Sequence, residues 1–207
     1  MKRLVALIMV LVAINTVMVA PAMADEGVTI ESTASDIPQE LVREIIEANP
    51  GYNITIYEWG TNEEREENVD KNSIVIGMVG FKVVSKTTTR SNVTVSDKFI
   101  ISVAKGQTIK LSKKKTFSYK GSISGKAKAK DLGLELTMTK EYSTEVSWSG
   151  PPEESQYNSG EYRIKFFEDQ GTYTGYQTFD GIPWSDLESG TWTEPSRYAL
   201  YSRDSRQ

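Results

Sequence analysis

The spacing of hydrophobic positions changes character several times along the chain. Leu4 to Ala20 is apolar throughout except at Asn15 and Thr16. This run follows Met1-Lys2-Arg3 and precedes Pro21-Ala22-Met23-Ala24, the charge order and small-residue spacing of a cleavable leader. The expectation is a signal peptide over 1–24, cleaved near Ala24, and one secreted or extracellular domain over 25–207. A membrane anchor is the competing account, but the run is short for a bilayer span. Ile37, Leu41, Ile45 and Ala48 then recur at helical spacing. Asp36, with Pro38 and Gln39 behind it, resembles a capping box with an early proline, and Asn49-Pro50-Gly51 stops the helix.

Beyond residue 52 the period becomes that of strands. Asn53 to Tyr57 alternates. Glu63 to Glu67 reads as a solvated loop, and Ile74 to Val84 as a strand buried on both faces. Val93–Val95, Phe99–Ala104 and Thr108–Leu111 are further strands, the last two separated by a turn at Lys105-Gly106-Gln107. A proline-rich joint at Gly150 to Gly160 leads into a C-terminal part, 157–207, that holds more than half of the aromatic residues. The predicted fold is mainly β: an antiparallel β-sandwich with one N-terminal helix over 25–52 and a long amphipathic β-hairpin over 115–148.

The hairpin prediction rests on a switch of parity. Odd positions from Phe117 to Ala129 are apolar or small; from Leu132 to Trp148 the even ones are. A turn at Lys130-Asp131 keeps both sets on one face. It sets Ala127 against Leu134, Gly125 against Leu136, Lys126 against Glu135, Lys120 against Glu141, Ser124 against Thr137 and Ser118 against Ser143. A four-residue loop over Lys130 to Gly133 keeps the same faces in a different register. Lys140 is the misfit, a charge on the apolar face opposite Gly121. Ile123, Ala127, Leu132, Leu134, Leu136 and Met138 are therefore either core residues under a sandwich or lipid-facing residues of an inserted hairpin. The arms exceed the roughly 9–11 residues that a barrel strand needs to cross a bilayer.

Composition narrows the chemistry. With 24 basic and 28 acidic residues the net charge is −4, and losing Lys2 and Arg3 makes it more negative. That argues against a nucleic-acid partner. There is no Cys and no His. Thiol nucleophiles, disulfides, zinc–thiolate sites and histidine-dependent triads are excluded. The expectation is a protein that is not an enzyme, with no cofactor. A two-carboxylate hydrolase is the distant alternative, with no motif to single out a pair.

Ser102 to Ile109, the Ser- and Gly-rich hairpin, Ser147-Trp148-Ser149-Gly150-Pro151 and Tyr162 to Phe167 together resemble a group of small secreted β-rich bacterial proteins of unassigned function. In pattern only, the hairpin is similar to the insertion hairpin of aerolysin-type pore-forming proteins. Neither resemblance carries catalytic residues over.

Tyr173, Tyr176, Trp184 and Trp192 are candidates for a glycan-contacting platform, since flat rings stack on apolar sugar faces. Core and cross-strand packing is the simpler account of them. Asp180, Asp186 and Glu188 carry oxygen ligands but lack the spacing of a calcium loop. Lys113 to Lys115 reads as an edge guard or a contact for anionic polymer. The functional expectation is a secreted, non-enzymatic binding or surface-interaction protein, its partner a cell-surface glycan, wall polymer, protein or membrane. The alternative is a membrane-active, pore-forming or bacteriocin-like protein that inserts 115–148 as a homo-oligomer.

Overall fold

The computed structural model describes residues 28–61 and 79–206. The leader, the acidic loop at 63–67 and the first half of the 74–84 strand lie outside them. Among the described residues the chain is mainly β, with 61% in strands and 9% in helix, built as open sheets with two helices.

Strands β1 (Val28–Ile30), β2 (Asn53–Gly60) and β3 (Val79–Ala104) precede a small-element region of 54 residues, 105–158. Strands β4 (Thr108–Lys110), β5 (Lys115–Lys120), β6 (Ser122–Ile123), β7 (Thr137–Tyr142) and β8 (Ser147–Ser149) lie in it. Strands β9 (Ser159–Phe179), β10 (Ile182–Pro183) and β11 (Glu188–Ser205) close the chain. Helix α1 is Gln39–Glu47 and α2 is Ala129–Leu132. The main sheet runs β1-β2-β11-β9, with β3 on the far side of β9. Among the described residues only β1 and β2 pair in parallel.

The strands β3, β9 and β11 are several times the usual length of about 5–6 residues. β9 and β11 form one long hairpin whose turn, Asp180-Gly181, has φ of 48° and 80°. Two successive positive φ values are the geometry that a two-residue hairpin turn needs. β3 is the edge, and five register shifts against β9 break its regularity.

Both faces of the sheet are covered near its base. α1 packs Leu41, Val42 and Ile45, with Ile37 just before it, on Ile54, Ile56, Trp59, Phe167, Ala199 and Tyr201. Ala48 is exposed, Pro38 rather than Asp36 caps the helix, and no side chain bonds the first turn. Asn49 caps the other end instead, its amide donating to the Ile45 carbonyl at 2.7 Å. Ile54, Ile56 and Trp59 share a face because Tyr57 has no partner in the β11 register and bulges out. On the opposite face Phe166, Ile164, Tyr162 and Tyr198 pack against Met138, Tyr142 and Trp148 from the 105–158 connector. Neighbours Phe166 and Phe167 thus serve different cores, as strand alternation requires.

Residues 115–148 do not form one long ladder. Only six residues per arm pair, from Lys115 opposite Tyr142 to Lys120 opposite Thr137. The expected partners change accordingly: Ser118 lies opposite Thr139, Glu141 holds Lys114 and Thr116, and Lys140 faces Phe117. After Lys120 the chain turns away and β6 pairs with Trp192 and Thr193 of β11, in the slot that β2 vacates beyond Gly60. Lys126 then meets Glu188 at 2.8 Å and Ser124 meets Thr191 at 2.8 Å. Lys130 and Asp131 lie inside α2 rather than in a turn, and Gly133 closes it at φ 62°.

The connector changes faces on the way. On β9, Tyr162, Ile164 and Phe166 are buried at even positions; farther up, Gly171, Tyr173 and Gly175 are buried at odd ones. The one shift between β9 and β11 falls at Ser196 of β11 and β9 skips no residue, so the covering layer has moved to the other face. There Ala127, Leu132 and Leu134 pack on Tyr173 and Trp192. The connector therefore clasps the β11 edge, with β6 in the plane of the sheet. Gly121 is the crossing point: a Cβ there would lie 2.2 Å from the Thr193 carbonyl oxygen. Apolar burial against two aromatic residues explains why this route replaces a free-standing hairpin.

Candidate functional site

The hairpin residues singled out from the sequence are core. Ala127, Leu132 and Leu134 are buried with Tyr173 and Trp192, with Ile123 and Leu136 packed against them, and Met138 is buried on the other face. Apart from the exposed Val146, the connector's apolar side is turned to the sheet.

The four candidate glycan-contacting rings are split. Tyr173 and Trp192 are 1% and 2% exposed. Tyr173 donates to the Ser124 carbonyl at 2.7 Å, and the Trp192 indole donates to the Thr172 carbonyl at 3.3 Å. Lys86 covers the Trp192 ring at 4.8 Å. Tyr176 is half-buried and Trp184 stands in solvent, so the four make no common platform. Among the described residues no three carboxylates converge as a metal site, and Asp180, Asp186 and Glu188 hold none.

Two features stand out instead. The first is the tip of the β9–β11 hairpin. Ile182, Trp184 and Leu187 are 68%, 61% and 67% exposed, and Val79, Val84 and Phe179 beside them are about half exposed or more. Most of the large apolar side chains that the described residues leave in water lie at this one end. Nothing among the described residues covers this patch.

The second is an open cleft of about 520 Å³ beside β2, lined by Thr33, Tyr57, Glu58, Trp59, Tyr198 and Leu200 among others. The β1–β2 pairing stops at Ile56, which leaves this edge open. Glu58 lies on the face opposite α1. Its Oε1 accepts from the Tyr198 hydroxyl and from Lys140 at 2.7 Å, and Lys140 also donates to the Tyr198 hydroxyl at 2.6 Å. Lys140 rides over the Tyr198 ring at 4.6 Å. The misfit cation of the sequence thus has a carboxylate, a phenol and a ring as partners. Its position on an apolar face was the one signal for this cluster, because a charge there demands a partner. Glu58 and Tyr198 carried no signal of their own.

A third polar group lies on the α1 side of the sheet, partly open to solvent. Asp97 accepts from Arg163 at 2.7 Å and from Tyr201 at 2.6 Å, and Glu161 bridges Arg163 and Arg203. Burial pushes the Tyr201 phenol up and the Lys165 ammonium down, with Asp97 and Glu44 opposing the latter. Arg203 also donates to Asn49 at 3.0 Å, which ties this partly exposed network to the end of α1. On the other face burial, then Glu168, pushes the Tyr119 phenol up to about 12; its hydroxyl donates to Glu168 at 2.6 Å.

No protein-family model, no curated protein and no solved structure matches this chain. No helix among the described residues is long and apolar enough to cross a membrane.

Proposed function

We propose that this is an exported, non-enzymatic surface-interaction protein that touches a lipid bilayer with the tip of its β9–β11 hairpin. The observation that carries the reading is the exposed set Ile182, Trp184 and Leu187 at the end of the longest hairpin. A convex tip of mostly aliphatic side chains suits a soft bilayer better than a glycan, which needs flat rings. Trp184 suits the headgroup level, where amphipathic rings concentrate. Asp180, Asp186 and Glu188 around the tip disfavour an anionic membrane and favour a neutral or zwitterionic one. The two small ladders, β4–β8 and β5–β7, act in this reading as the second layer of a lopsided sandwich that stiffens the base.

Vesicle flotation with residues 25–207 tests this. The protein should float with phosphatidylcholine vesicles, and Ile182→Ser/Trp184→Ser/Leu187→Ser should stay at the bottom with its melting temperature unchanged. Equal flotation of the two proteins would sink the reading.

One observation favours a second reading, insertion of 115–148 as part of a pore. Ala104 pairs with Ser159, so β3 and β9 already form a hairpin closed by the connector. Carried on without slippage, their stagger sets Lys130 opposite Gly133, the alternative register that keeps both amphipathic faces aligned. A released connector thus extends the existing ladder, and several chains would be needed to close a barrel. Dye release from the same vesicles separates the readings, because tip contact alone leaves them sealed.

A further inference from the structure

We infer that the cleft beside β2 is a binding site for a neutral saccharide of one or two rings, with the Glu58 carboxylate as its polar contact and the buried Tyr198 hydroxyl holding that carboxylate in place. The site is separate from the hairpin tip and does not depend on it. Its volume of about 520 Å³ falls within the range of small-molecule sites, roughly 300–1,000 Å³.

The polar groups are held before any ligand arrives. Lys140 and Tyr198 both bond the Oε1 of Glu58, which fixes the carboxylate and leaves its Oε2 as an acceptor. Gly60 makes this arrangement feasible: a Cβ there would lie 2.9 Å from the Tyr198 hydroxyl. The Thr33 hydroxyl is committed to the Tyr57 carbonyl, so the rim is fixed as well. Fixed polar groups lose little freedom on binding.

The charges select the ligand class. Lys140 balances Glu58, so neither an anion nor a cation gains a net attraction. A sugar hydroxyl donates, which suits the carboxylate oxygen that Lys140 and Tyr198 leave open. Tyr57 and Leu200, both part-buried, supply apolar surface for a ring face.

Saturation-transfer NMR on the purified protein tests this, with glucose, galactose, N-acetylglucosamine and their β1,4-linked disaccharides as probes at about 10 mM, suited to weak binding. At least one probe should receive saturation. Glu58→Gln and Tyr198→Phe, both isosteric, should weaken it about tenfold, the equivalent of one good hydrogen bond. Melting curves identify any variant that fails to fold, in which case shortening by Glu58→Asp serves as the second probe of the carboxylate. The tip variant should bind sugar as the native protein does, so loss of vesicle binding and loss of sugar binding are told apart. No transfer to any probe, or transfer unchanged in both cleft variants, would overturn the inference.

Discussion

The two ends of the β9–β11 hairpin are made of similar residues and treated in opposite ways. At the base, Ile164, Phe166 and Phe167 are completely buried between α1 and the connector. At the tip, Ile182, Trp184 and Leu187 stand in water. The difference lies in the cover, not in the strands. The covering elements end around Tyr173, and the strands continue beyond them. Apolar residues at the base hold the fold; those at the tip are free to serve contact.

Substitution should expose this contrast most sharply at the base. Phe166→Ala should cost about 3–5 kcal/mol in urea unfolding. Ile182→Ala at the tip should stay within about 0.5 kcal/mol. Similar losses at both positions would mean the tip is structurally committed. Next in size is Gly121→Ala, which places a methyl against the Thr193 carbonyl where the connector crosses β11. It should cost about 1–3 kcal/mol by overpacking, and hydrogen exchange should rise first in 121–136 rather than in α1.

A smaller effect concerns pH. Tyr119 ionises near 10 when unfolded but only near about 12 when folded, because burial and Glu168 oppose its anion. Its folded value is raised, so its contribution is whole below pH 10 and is lost as pH rises toward 12. Tyr119→Phe should flatten that part of the stability curve, and an unchanged alkaline slope would refute the assignment. The smallest effect should come from Lys126→Ala, which removes a half-exposed pair with Glu188. That should cost about 0.2–1 kcal/mol.

The strand-rich character was legible because alternation is a local property, and residues such as Ile54 and Ile56 alternate in the sequence as they do in the sheet. The amphipathic side of 115–148 was legible for the same reason. Its register was not. Pairing along the hairpin looked self-consistent, but β11 offered a free edge at Trp192 and Thr193, and local pattern cannot see a distant partner. The crossing from one face to the other depends on that edge and was invisible as well. The same holds for the rings: Tyr173 and Trp192 look like Trp184 in sequence, and only the clasp decides which are covered. Lys140 was legible as a misfit, whereas its partners Glu58 and Tyr198 lie 82 and 58 residues away along the chain.

The most direct test locks the clasp. Ser122 and Thr193 are register partners whose hydroxyls lie 3.3 Å apart, and the chain has no other cysteine to interfere. Ser122→Cys/Thr193→Cys should form a disulfide, since opposed strand residues meet its distance requirement. Oxidised and reduced forms should float equally with phosphatidylcholine vesicles, and neither should release trapped dye. Leakage by the reduced form that oxidation abolishes would contradict the account and make the connector, not the tip, the part that meets the membrane.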